Sequence, residues 1–203
     1  MPHYTDVTGL AGIASAAAAA VLLLPGIARW NKPQLGILLA TTFVLMLLPF
    51  GNMPISAYVR GATGDLSITT LILLCCAMLK PWFGGAAVVP KHRLALLILI
   101  ALAALALYPM ALGIGRYDPY RLGYGNPQFV VVLLLIALAG WFRRSYLVAA
   151  CISLSVLAWA AGWYESGDLW DYLLDPFVSV YALSAISIRV VSTMHKPQRV
   201  NPR

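Results

Sequence analysis

Charge is scarce in this chain. Of its 203 residues only 10% are charged, against about 25% in a soluble domain. That deficit excludes an ordinary soluble enzyme, a disordered protein and a nucleic-acid-binding domain. Histidine is limited to His3, His92 and His195. All three fall outside the long apolar runs, so a haem or histidine metal site inside them has no ligand. Lysine occurs only at Lys32, Lys80, Lys91 and Lys196. None lies in the last apolar run, which removes the residue a retinal protein needs for its Schiff base. The cysteines are Cys75, Cys76 and Cys151. Neighbours on a helix point about 100° apart, so Cys75–Cys76 reads as two small hydrophobes before a soft-metal pair. No P-loop, dinucleotide fingerprint, nucleophile elbow or zincin motif is present. The expectation is therefore no cofactor, no metal and no nucleic acid.

What is abundant is apolar surface. The residues are 61% hydrophobic. A helix crossing about 30 Å of hydrocarbon needs about 20 mostly apolar residues. Seven runs qualify approximately: 8–28, 35–50, 66–79, 94–114, 128–142, 146–163 and 176–194. They occupy most of 1–203, so the expected fold is all-α, a single integral membrane domain built as a polytopic transmembrane helical bundle. The alanine run Ala16–Ala20 offers a small-residue face for close helix approach. Met1–Val7 carries no Lys or Arg, unlike the start of a secretory signal peptide. The first run is accordingly read as a retained helix.

Charge placement gives an orientation. With alternating loops, one side receives Arg29, Lys32, Lys80, Lys91, Arg93, Arg143, Arg144, Arg189, Lys196, Arg199 and Arg203. The other receives Arg60, Arg116 and Arg121. The positive-inside rule puts the richer side in the cytoplasm, with the N-terminus out and the C-terminus in. All seven acidic residues, Asp6, Asp65, Asp118, Glu165, Asp168, Asp171 and Asp175, then fall outside. Trp30, Trp82 and Trp141 mark the inner interface, Trp163 and Trp170 the outer one. The Ala/Leu/Gly-rich composition suits a bacterial inner membrane.

Three outer segments draw interest. Residues 54–65 are too apolar for a solvated loop, yet hold Gly61, Gly64, Arg60 and Asp65. They read as a broken or re-entrant element, with Asp65 capping the following helix. Glu165, Asp168, Asp171 and Asp175 frame an expected amphipathic interfacial helix at about 167–174. Spacing of i, i+3, i+7 puts the three aspartates on one face, read first as a solvated stripe and otherwise as partners for arginines or a divalent cation. Asp175–Pro176 reads as an N-cap followed by proline at the first helical position. The third segment, 115–127, combines Arg116 and Arg121 with tyrosines, and its simplest reading pairs an arginine with Asp118. Tyr58, Tyr120, Trp163 and Trp170 complete the set as interfacial aromatics.

Three functions fit these features. The leading one is a small non-catalytic accessory protein or complex subunit of the inner membrane. Its outer polar face would bind a membrane-protein partner, a second copy or an anionic lipid-linked group. The alternatives are a small solute or ion transporter using the break near Arg60–Asp65, and an outer-leaflet enzyme acting on a lipid-linked substrate.

Overall fold

A computed structural model describes residues 4–83, 90–114, 116 and 118–194. Gly84–Gly85, Tyr117, His3 and the tail residues His195, Lys196, Arg199 and Arg203 lie outside the described residues. The fold is helical: α1 (Tyr4–Val21), α2 (Lys32–Leu47), α3 (Ile55–Thr63), α4 (Ile68–Phe83), α5 (Pro90–Ala111), α6 (Pro127–Phe142), α7 (Tyr146–Ala160), α8 (Leu169–Leu173) and α9 (Pro176–Met194). A two-stranded antiparallel ribbon, β1 (Pro49–Phe50) with β2 (Met53–Pro54), turns the chain from α2 into α3. Short 3-10 turns cover Ile27–Arg29 and Pro119–Gly123.

Local chemistry sets the helix ends. Asn31 and Gln34 form a reciprocal capping box on α2. Asn126 accepts from the amides of Gln128 and Phe129, with Pro127 opening α6. Asp175 accepts from the Val178 amide at 2.8 Å, the expected cap of α9. Three helices close with the same double hydrogen bond. Gly113 and Ile114 close α5, and Gly162 and Trp163 close α7. At the end of α6 the same place is held by Arg144, whose amide meets the Trp141 carbonyl while that of Ser145 meets Gly140. Arg144 has φ 57°, the one positive φ of a non-glycine among the described residues. That backbone costs an L-residue roughly 1–2 kcal/mol.

Packing joins α1 to α2 and α4, α6 to α7, and α5 to α7 and α9. One core gathers Ile68, Leu97, Leu107, Val148, Leu169, Tyr172 and Ala182; a smaller one gathers Ala18, Ile27, Leu35 and Leu39. Ala14 and Ala18 are fully buried, so small residues bring α1 against its neighbours. The exterior is apolar too. Val131, Val132, Leu134, Leu135 and Leu138 of α6 are all exposed, as are Leu102 and Leu105 of α5 and Val180, Ile188 and Val191 of α9. Two helices, Lys91–Ala111 and Pro176–Met194, are long and apolar enough to cross a membrane by length and composition. The apolar helices Asp6–Val21, Lys32–Leu47, Ile68–Phe83, Pro127–Phe142 and Tyr146–Ala160 are shorter.

Several boundaries differ from the sequence expectation. The first helix stops at Val21, because Pro25 and Gly26 (φ 90°) break the run that hydropathy extended to 28. The second stops at Leu47, where Pro49 starts the ribbon. Residues 55–63 form a regular helix closed by Gly64 at φ 74°. The largest difference lies at 167–174. Helix α8 is only five residues long, and Leu169, Tyr172, Leu173 and Leu174 are all buried. The segment is an inserted plug rather than a helix lying on a surface.

Candidate functional site

One end of the bundle gathers the acidic residues, and hydrogen bonds link its parts. At its edge stands Arg60, in the last turn of α3. Its Nε and Nη2 grip both oxygens of Asp65, at 2.6 and 2.9 Å, in a bidentate fork. Its Nη1 donates to Asp6 Oδ1 at 3.1 Å, and Nη2 lies 3.8 Å from Glu165 Oε1. The hydrogen bond to Asp65, opposed by partial burial, pushes the guanidinium pKa further up. The fork lies against α1 at Gly9. A Cβ there would sit 2.3 Å from Asp65 Oδ1 and 2.5 Å from Arg60 Nε. Close by, the Thr8 hydroxyl donates to the Trp163 carbonyl at 2.6 Å, tying α1 to the segment after α7.

The cap of α4 is Ser67, not Asp65. Ser67 Oγ accepts from the Thr70 amide at 3.1 Å, while Asp65 is held by Arg60. Ser67 is in turn held by Asp175. Asp175 Oδ2 accepts from the Ser67 amide at 2.9 Å, from Ser67 Oγ at 2.8 Å and from Thr70 Oγ1. With Val178 on Oδ1, this buried carboxylate takes four hydrogen bonds and joins the starts of α4 and α9.

Tyrosines line the same region. Tyr164 Oη donates to the Leu66 carbonyl at 2.8 Å. Tyr172 Oη accepts from the Tyr164 amide at 3.0 Å and faces the Tyr164 and Ser166 carbonyls. Ser155 of α7 donates to the Tyr172 carbonyl, seating α8 in the core. The Tyr120 hydroxyl donates to Asp171 Oδ1, and Ser166 Oγ donates to Oδ2 at 2.5 Å. Burial, then the bond to Asp171, pushes the Tyr120 phenol up; burial does the same for Tyr164. Trp170 Nε1 donates to the Pro119 carbonyl at 3.1 Å, and its ring meets Phe129 at 4.6 Å.

The aspartate stripe is therefore not a solvated face. Asp168 is 0% exposed and caps α8 by accepting from the Trp170 amide, while Asp175 is 5% exposed and caps α9. A helix of five residues cannot carry an i, i+3, i+7 face; the outer two aspartates belong to its boundaries. Burial pushes the Asp168 carboxyl up to about 6, and its Oδ2 has no hydrogen-bond partner among the described residues. Gly123 packs on it, with a Cβ there falling 1.6 Å from Oδ1. Among the described residues no three His, Cys, Asp or Glu side chains are grouped to hold a metal ion.

Between these parts lies a cavity of about 340 Å³, lined by Asp65, Asp171, Asp175, Tyr108, Tyr120, Tyr164 and Trp170. Asp65 is neutralised by Arg60, which leaves two carboxylates among aromatic rings. That lining opposes an anion and suits an ammonium, a guanidinium or a neutral hydrogen-bond donor.

No known protein family, curated protein or solved structure matches this chain.

The expected site residues thus divide. Asp65, Asp171, Asp175, Tyr120 and Trp170 line the cavity, with Arg60 and Glu165 at its edge. Arg116 and Arg121 are exposed, and among the described residues neither enters an ion pair. The expected arginine pairing of Asp118 is replaced by a cap on the Tyr120 amide at 2.9 Å. Tyr58 is exposed and donates to the Phe50 carbonyl; Trp163 is 45% exposed. Sequence reasoning missed Tyr108, Tyr164, Ser67, Gly9 and Gly123. The tyrosines left a signal, since a phenol at the edge of an apolar run needs a hydrogen-bond partner once buried.

Proposed function

We propose that the chain is a multi-pass membrane protein of about seven spans, with the N-terminus out and the C-terminus in, in a bacterial inner membrane. Its role in this reading is non-catalytic. It is an accessory protein or complex subunit whose outer-face cavity receives a basic side chain of a membrane-protein partner or a second copy. The apolar exterior supports the membrane reading, because a helix such as α6, packed on α7 along one side and exposing Val131, Val132, Leu134, Leu135 and Leu138 on the other, suits a lipid surround. Helices of 15–18 residues reach about 22–27 Å, so the short spans fit a locally thinned bilayer.

The observation that carries the role is the commitment of the cavity carboxylates. Asp175 takes four hydrogen bonds, Asp65 is held by a guanidinium fork, and Asp171 is held by Tyr120 and Ser166. Such groups form a rigid acidic cup. Asp171 accepts only two of these bonds, one on each oxygen, and so keeps lone pairs for a cationic donor.

Purification from native membranes in mild detergent tests this. A stoichiometric partner or second copy is expected with the unaltered chain and is expected to be lost on Asp171→Asn. Recovery of a bare monomer, or equal recovery with the variant, overturns the role. Reporter fusions at Glu165 and Arg143 are expected in opposite compartments. A transport reading is favoured by one feature, the α3–α4 break that puts Asp65 on the cavity wall. Solute uptake in proteoliposomes that collapses on Asp65→Asn would select it.

A further inference from the structure

A second cleft opens at the far ends of α5 and α6. Tyr108, which lines the acidic cavity, and Lys91, which lines this cleft, are separated by about 25 Å along α5. The cleft encloses about 870 Å³ between α5, α6 and the start of α7. Its walls are apolar and regular. Ala95, Ile98 and Leu99 of α5 recur at i, i+3, i+4, as do Ile136, Ala139 and Gly140 of α6. Its mouth is basic, carrying Lys91, Arg143 and Arg144 with the Ser145 hydroxyl, and no carboxylate is among its lining residues.

The backbone at this mouth is unusual. Arg144 occupies the left-handed position that Gly113 and Gly162 fill at the same motif elsewhere in the chain. Glycine would fit there without strain, so the strained geometry comes with a cationic side chain set at the cleft.

We propose that this cleft binds an anionic diacyl phospholipid. Arg143, Arg144 and Lys91 hold the phosphate, and the α5 and α6 walls take the upper acyl chain. Three cations with no counter-charge among the cleft's described lining residues, set above an apolar slot, match a lipid carrying a net negative head on an apolar tail. A soluble phosphate compound would leave the slot empty, and a zwitterionic lipid would bring a cation to the basic mouth. The acidic cup at the opposite end repels this ligand. The inference rests on the membrane reading above.

The test uses purified full-length protein in detergent, with phosphatidylglycerol and phosphatidylcholine as probes and native mass spectrometry as the readout. The unaltered chain is expected to retain phosphatidylglycerol over phosphatidylcholine. Excess inorganic phosphate is expected not to displace it. The Arg143→Gln, Arg144→Gly double variant is expected to bind phosphatidylglycerol roughly tenfold or more weakly. Glycine suits the left-handed site, so the variant keeps its turn; Lys91→Gln, remote from that turn, is expected to weaken binding in the same direction. Equal retention of both lipids, full displacement by inorganic phosphate or undiminished binding by the double variant overturns the proposal. Alkaline carbonate extraction separates the two readings. A chain stripped from membranes by carbonate overturns the membrane reading, whereas one that resists carbonate and binds both lipids alike overturns the lipid site alone.

Discussion

Replacing Asp175 by Asn isolates the hydrogen bonds that join α4 to α9. Asn is as good a cap as Asp, so the start of α9 keeps its Val178 bond and the effect must come from Oδ2. In the variant an NH₂ group faces the Ser67 amide, donor against donor, where the carboxylate had accepted at 2.9 Å. Rotating the amide only moves the conflict to the Val178 amide, now bonded at 2.8 Å. The hydroxyls of Ser67 and Thr70 can turn to accept, but a backbone N–H cannot. An orphaned buried donor costs about 1–3 kcal/mol, and losing charge assistance in the remaining bonds adds about 1 kcal/mol. The expected loss is therefore about 2–4 kcal/mol. Reversible SDS titration in mixed micelles, followed by near-ultraviolet circular dichroism, measures it. Thr70→Val in both backgrounds closes a double-mutant cycle, with a coupling of about 1 kcal/mol expected. A loss under about 0.5 kcal/mol, or strict additivity in the cycle, would refute the reasoning.

Other perturbations test other parts of the site. Asp168 holds its proton up to about pH 6 when folded, whereas unfolded it releases it near 4. The folded state binds more protons between those values, so stability falls as pH rises through that window and stays lower above it. Asp168→Asn is expected to remove this decline; parallel stability curves for the two proteins from pH 4 to 8 would contradict it. Gly9→Ala should raise helix stability by about 1 kcal/mol on propensity alone. The Cβ contacts at 2.3 and 2.5 Å reverse the sign, giving a net loss of about 1–3 kcal/mol in thermal unfolding. Gly123→Ala is expected to destabilise by a similar amount, about 1–3 kcal/mol. In an Asp168→Ala background that loss should shrink to what the Trp170 ring, 2.9 Å from such a Cβ, imposes, and if it is unchanged the clash with Oδ1 is not its source.

Helices were legible from apolar runs, and the start of α9 from Asp175 beside Pro176. Their ends were less so, because hydropathy ran on through Pro25 and Pro49. The grouping of acidic residues at one end could be read from loop alternation alone. Their individual roles could not. Asp168, Asp171 and Asp175 had helical spacing, but spacing carries no information on where a helix stops. Burial of Asp175 depends on Ser67, 108 residues away, and that of Tyr164 on the Leu66 carbonyl, 98 away. Gly9 and Gly123 read as ordinary small residues because what they accommodate belongs to other segments.

The Ser67–Asp175 tie also bears on biogenesis. At roughly 5–20 residues per second, a ribosome needs roughly 5–20 s to add the 108 residues between the two partners. For that interval the Ser67 amide and hydroxyl and the Thr70 hydroxyl wait without their acceptor. Closure of the polar seam is thus a late event in synthesis, and a nascent chain arrested before Asp175 should leave the head of α4 open to solvent and to proteases.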